Sequence, residues 1–483
     1  MALRFDGETY DQALQERVER LITALSPSDL SDLLMETVTS PGRGEQRQEP
    51  DGSIISVAEE RAEQLGARLA VDIENLLPRM PDLLRGEQRQ GYVFGMSVGS
   101  AVGDPVQLLR SVVDMLTQVP VDVRNPVVGV GIARASHERE PADTRAYVLG
   151  LLEREETRAF AVPFLLGIGL TDDAVLMVAS HLGSDSLPST SVRALSFGGV
   201  LRPLEPVTVA ALIRACADAD DGGPAVALDL LAMRQHNSTL EPELLDCARD
   251  LVLRPGVLEL AECGDALHEL HIPRLAEACL DASDGNELIH GLAERVMAAL
   301  GNSSGYRSRA LVKLTLMLFA RSTDVTWKAL RRSYEKADGL TAFHLELALD
   351  DLNLVSLVGS QRLLDWCGSF ELARFHVSRM IDPLQDRDDG ARYPSWTPFA
   401  LSLLERFGDD ADLRNGLAAS IHSGGWTGSR VPRLTMHRDA YAELSHHPNP
   451  AVSGWAREHM DALDQSIEHE RKRDEEEDFG IYR

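Results

Sequence analysis

Between residues 105 and 254, apolar residues recur at i, i+3, i+4 and i+7, the spacing that gathers them on one face of an α-helix. Leu108, Leu109, Val112, Val113 and Leu116 form one such stripe, and Val209, Leu212, Ile213 and Cys216 form another. A proline or an acidic residue stands at the head of each stripe: Pro105, Pro141, Asp172, Pro206 and Pro242, separated by 36, 31, 34 and 36 residues. Proline suits a first helical position because its φ is already helical and its missing N–H had no intrahelical partner there. Asp104, before Pro105, offers an N-cap carboxylate. Each unit carries a second helix-like stretch, at 157–167, 191–201 and 225–233, reached through linkers such as 183–188 and 218–224 that are rich in Gly, Asp, Ser and Pro. Two helices in a period of 31 to 36 residues predict a repeat array.

The pattern continues less regularly through 273–300, 306–337 and 340–381, with Pro273 expected to break a helix. Residues 383–398 hold Asp386, Arg387, Asp388, Asp389 and Gly390 and predict a surface connection. Helices resume at Phe399 and Asp410, and a Gly/Ser/Trp loop at 423–430 precedes two final helices. Toward the other end, 10–39 predicts two amphipathic helices, 41–53 is polar with enough Gly and Pro to be mobile, and 56–76 predicts a longer helix. The expected organisation is an N-terminal helical pair and mobile loop over 1–53, a helical-repeat array over 54–382 and a linker over 383–398. C-terminal repeats and a cap over 399–467, then a charged tail over 468–483, complete it.

The last helix has the sharpest predicted boundary. Asn449 is its N-cap and Pro450 its first residue, and Val452, Trp455, Ala456, Met460, Leu463 and Ile467 share one face. This segment, HPNPAVSGWAREHMDAL, resembles the helix opening of HEAT repeats, in which a D/N-P-x-V pattern starts a packed helix. The resemblance covers these 17 residues and, by period, residues 105–254. It implies an all-α fold, an α-solenoid of stacked hairpins of the HEAT or armadillo kind. A non-enzymatic scaffold or adaptor that binds a partner protein along the concave face follows from that shape. Bacterial proteins resembling such arrays often serve as subunits of multi-protein systems, defence systems included.

Composition narrows the alternatives. With 44% hydrophobic and 26% charged residues the chain can bury a sizeable core. A net charge of -28, without a run of Lys and Arg interleaved with aromatics, argues against nucleic acid as a direct ligand. Only four basic residues are lysine, a bias that points to a GC-rich, bacterial coding genome. The first residues lack a basic stretch followed by an apolar run, so no secretory signal is expected. Five cysteines then read as reduced thiols of a cytoplasmic protein. The longest apolar runs, 161–170 and 314–320, fall far short of the roughly 20 residues that span a bilayer. Oligomeric state leaves no trace in these features.

Candidate chemistry is sparse, and no catalytic or cofactor-binding residue emerges. Cys263, His268, His271 and Cys279 carry the ligand types zinc prefers, and His268 and His271 lie three apart on one helix face. They are the basis of the alternative to the scaffold, a metal-dependent enzyme or zinc-stabilised module, although no C-x2-C is present and the usual role of such residues is core filling. Gly95, Gly99 and Gly103, with Gly129 and Gly131, lack the residues that complete a phosphate loop or dinucleotide fingerprint. Small residues at that spacing predict close helix approach instead. Asp478-Phe479-Gly480 matches a kinase tripeptide without any other kinase element. The run 468–478 reads as a solvated end. Its alternative is docking, in which Glu475, Glu476, Glu477, Asp478, Phe479 and Tyr482 would meet a basic partner groove.

Overall fold

The computed structural model describes residues 17, 29–41, 46–48, 54–183, 187–219, 222–236, 238–262, 266–282, 286–302, 308–350, 352–385, 394–422 and 427–478. The fold is all-α in character: apart from two short antiparallel hairpins, regular structure in these residues is helical. Backbone contacts divide the chain into two compact units, Met1–Cys247 and Ala248–Arg483.

The first unit runs through α1 (Leu30–Thr39), α2 (Val57–Ala70), α3 (Gly91–Ala101), α4 (Pro105–Gln118), α5 (Val127–Arg139), α6 (Pro141–Glu153), α7 (Ala161–Ile168), α8 (Asp172–His181), α9 (Pro206–Asp218) and α10 (Gly223–Gln235) to the start of α11 (Pro242–Val252). Pro105, Pro141, Asp172, Pro206 and Pro242 are each the first residue of their helix, where the sequence places them. Asp104 caps α4 by accepting from the Gln107 N–H at 2.8 Å. The stripes Leu108 to Leu116 and Val209 to Cys216 are buried. One pair of successive starts is also tied together: Asp172 at the head of α8 accepts from the Glu205 N–H just before α9 at 3.0 Å.

Glycine sets a close helix contact in this unit. A Cβ on Gly95 would lie 2.0 Å from the Val128 carbonyl oxygen, and one on Gly131 would lie 2.2 Å from that of Tyr92. Helices α3 and α5 therefore touch backbone to backbone, as the small-residue spacing predicts. Gly103 is different, since a Cβ there would meet nothing within 4 Å.

Three expectations change here. Residues 191–201 do not form an α-helix; Ser189–Ser196 is a 3₁₀ segment in which Ser189, Val192 and Leu195 are buried, a period of three that matches the tighter helix. The helix expected over 56–76 ends at Ala70 and a separate turn, Ile73–Leu76, follows. Part of the stretch expected to be mobile, Gln46–Gln48, pairs as a strand with Ile54–Ser56.

The second unit contains α12 (Ala266–Asp281), α13 (Asn286–Asn302), α14 (Arg309–Arg321), α15 (Thr323–Lys336), α16 (Gly339–Leu349), α17 (Ser360–Ser369), α18 (Leu372–Arg379), α19 (Pro398–Phe407), α20 (Ala411–His422), α21 (Val431–Leu444) and α22 (Pro450–Asp478). Contacts run between helices near in sequence: α12 with α14, α13 with α14, α15 and α16, α18 with α20, and α21 with α22. Pro273 does not break α12. It lies inside the helix, buried beside Ile272, Leu275 and Ala276, and this packing outweighs the one hydrogen bond a proline removes.

The 383–398 segment is also more than a surface connection. Leu384–Gln385 pairs with Ser395–Trp396, and Trp396 is buried, donating its indole N–H to the Ala440 carbonyl at 2.8 Å. Asn449 caps α22 through the Ala451 N–H at 2.8 Å, and Val452, Trp455, Ala456, Leu463 and Ile467 are buried as predicted. Among the described residues no helix is long and apolar enough to cross a membrane.

Candidate functional site

The metal candidates separate into two groups. Cys263 lies outside the described residues. His268, His271 and Cys279 share α12 and are all buried. Burial pushes the Cys279 thiol up to about 12, so a metal bound there would have to displace its proton. No three His, Cys, Asp or Glu side chains among the described residues converge closely enough to hold a metal ion.

Of the docking candidates, Glu475 and Glu476 are exposed on the last turns of α22, which runs on to Glu477 and Asp478; Phe479 and Tyr482 lie outside the described residues. The charged run that precedes them is anchored before it becomes solvated. Glu470 is buried and pairs with Arg430 at 3.2 Å and Arg473 at 2.7 Å, and Ser429 donates to Asp474.

The most developed polar constellation in the structure has no short sequence signature. Glu346, at 7% exposure, projects from α16 toward α18. One carboxylate oxygen meets His376 Nδ1 at 2.7 Å, and the other meets Arg379 Nε at 3.0 Å. Tyr334 lies with its ring 5.0 Å from His376, and its hydroxyl donates to the Met380 sulfur. Full burial, with the Glu346 charge nearby, pushes the Tyr334 hydroxyl far above its usual range. Arg379 and Asp350 border both a cavity of about 770 Å3, with Asn353, Asp382 and Ser420 also in its wall, and a smaller one of about 190 Å3 that reaches Glu346.

A carboxylate that orients an imidazole is two-thirds of a nucleophilic relay, and the third member would be a nearby hydroxyl or thiol. The neighbouring serine hydroxyls are committed to backbone. Ser378 is fully buried and donates to the Phe375 carbonyl at 2.7 Å, while Ser420 donates to the carbonyls of Ser378 and Arg379 at 3.0 and 3.1 Å. Cys367 is buried and its thiol is pushed up to about 12. The arrangement therefore binds α16, α18 and α20 to one another, and these described neighbours include no activated nucleophile.

Comparison with known proteins adds no assignment: no protein-family model, no curated protein and no solved structure matches this chain.

Proposed function

We propose that this protein is a non-enzymatic helical-repeat scaffold, an α-solenoid of the HEAT or armadillo kind that binds a partner protein along successive helical pairs. The observation that carries the reading is the register of helix starts. Pro105, Pro141, Asp172, Pro206 and Pro242 head their helices at intervals of 31 to 36 residues, and one adjacent pair of starts is linked through Asp172 and Glu205. Contacts between helices close in sequence support it, because stacked repeats touch mainly their neighbours. Such an array offers a long face of similar rungs, suited to a polypeptide rather than to a small substrate. A role as subunit of a bacterial multi-protein system fits the same reading by analogy alone.

Affinity purification from the native host, followed by reconstitution from purified components, tests it. The expected result is a partner that re-forms a complex of fixed molar ratio with the purified chain; a chain that stays alone throughout refutes the scaffold. Metal analysis tests the zinc alternative. Purified without added metal, the chain should hold less than about a tenth of an equivalent of zinc, because structural zinc is coupled to folding and survives purification. Stoichiometric zinc that is lost on replacing His268 and His271 would establish the alternative instead.

A further inference from the structure

Three helices of the first unit, α6, α8 and α9, lie side by side and point the same way. Arg145, in the second turn of α6, donates to the Thr171 hydroxyl just before α8 at 3.2 Å. At their other ends, Glu153 of α6 comes within 3.9 Å of His181 of α8. Both ends match, so α6 and α8 run parallel. Asp172 and the Glu205 N–H hold the heads of α8 and α9 together, and these two helices pack along each other.

Each of the three turns an apolar stripe inward, with Val148 and Leu151 buried on α6, Val175 and Val178 on α8, and Val209 and Ile213 on α9. The opposite side of such a helix faces water and ordinarily carries charged or polar side chains. Here its central turns carry none. Ala146 is exposed on α6, Leu176 is 45% exposed one turn into α8, and Val207 is 65% exposed at the first turn of α9, with Ala211 half-buried one turn on. A lone apolar side chain in water is ordinary, but these fall on neighbouring turns of helices that are tied together.

The rim of this face is acidic. Asp143, Asp173 and Glu205 are exposed at the heads of α6, α8 and α9. Residues 141–153, 172–181 and 205–218 together hold six carboxylates and two arginines. Of those arginines, Arg145 is occupied by Thr171 and the Gly169 carbonyl, and Arg214 is exposed on the third turn of α9. A polyanion or an anionic lipid surface would meet like charge here, and so would a second copy of a chain whose net charge is -28. The complement of the face is an apolar stripe flanked by lysine or arginine, which is how an amphipathic helix lies in a groove.

We propose that the outward face of α6, α8 and α9 docks a cationic amphipathic helix of a partner protein. Its apolar stripe covers Leu176 and Val207, and its basic flanks meet Asp143, Asp173 and Glu205. The inference rests on the scaffold reading and gives it a place and a partner chemistry.

The test titrates the full chain against a labelled synthetic helix, followed by fluorescence anisotropy. The helix has leucines at i, i+3, i+4 and i+7 and lysines opposite, and is longer than the roughly 15 residues below which isolated helices are marginal. Saturable binding that weakens as salt rises is expected, and a peptide with glutamate for lysine should not bind. Leu176→Ser with Val207→Ser should weaken binding about tenfold or more, whereas Leu340→Ser with Leu372→Ser, at exposed positions of the second unit, should not. Asp173→Asn with Glu205→Gln should weaken it too and flatten its salt dependence. Should a variant fail to fold, hydrogen exchange on the unmodified chain decides: the peptide should slow exchange in Asp172–His181 and Pro206–Asp218 and leave Arg309–Arg321 unchanged. No saturable binding, equal losses in both serine pairs, or protection elsewhere alone would overturn the proposal. A host partner that binds the Leu176→Ser, Val207→Ser chain with unchanged affinity refutes this face and leaves the scaffold standing. A chain that takes no host partner removes the scaffold, and the peptide titration still decides the face.

Discussion

Acidification should loosen the C-terminal end of the second unit through one histidine. His437 is 4% exposed, and its burial beside His422 and Arg433 lowers its pKa from 6.5 to about 4 in the folded chain. The unfolded chain takes up the proton first, so the stability this group contributes is complete above about pH 6.5 and is lost as pH falls toward 4. The difference between the two values corresponds to roughly 3 kcal/mol at full protonation of the unfolded state. His422 and His459 are lowered in the same direction and add to the loss, with Glu458 opposing the shift at His459. Urea unfolding in phosphate-free buffer between pH 7.5 and pH 4.5 measures it. All five tryptophans, Trp327, Trp366, Trp396, Trp426 and Trp455, lie in residues 248–483, so their fluorescence reports on the second unit alone. Carboxylates titrate equally in the wild type and in His437→Gln, so the gap between the two curves should close by roughly 3 kcal/mol on acidification. Parallel curves would refute the assignment.

Other perturbations discriminate further. Gly131→Ala forces a methyl to within 2.2 Å of the Tyr92 carbonyl and should cost about 1–3 kcal/mol or more by calorimetry. Gly103→Ala, with open space around it, should stay within about 0.5 kcal/mol, and equal losses would show that α3 and α5 do not meet as described. Glu346→Ala strands His376 and Arg379 and should lower urea-measured stability by about 3 kcal/mol; a loss under about 1 kcal/mol would mean the cluster is incidental to the packing. Replacing Glu475 and Glu476 by Gln should leave the thermal midpoint unchanged because both side chains are exposed, whereas Glu470→Gln weakens a buried pairing with Arg430 and Arg473 and should lower it. The same midpoint for both variants would contradict the anchoring of the charged run.

What the sequence made legible was local. A proline at the first helical turn, an N-cap one residue earlier and a stripe of period 3.6 all act within a few residues, which is why Pro105, Pro206 and Asn449-Pro450 are found where the pattern puts them. The glycines of α3 and α5 were legible because small residues at helical spacing have few uses other than close approach. Longer-range compensation was not legible. Packing around Pro273 keeps α12 intact, and the indole of Trp396 finds Ala440, 44 residues on, so a polar connection acquires a buried anchor. Glu346 with His376, and His422 with His437 and His459, are brought together by packing between helices, and no spacing rule names them in advance. The candidate zinc set was legible only in its local part: its spacing placed His268, His271 and Cys279 on one helix, while Cys263 lies outside the described residues.

Hydrogen exchange on the reconstituted complex tests the scaffold most directly, because a solenoid holds its partner across many rungs while an enzyme or a small-ligand protein engages one pocket. The account predicts that partner binding slows exchange in peptides from several successive helical pairs, spaced at the interval of the helix starts between residues 105 and 254. Protection confined to the wall of a single cavity, or to no part of the chain, would contradict it.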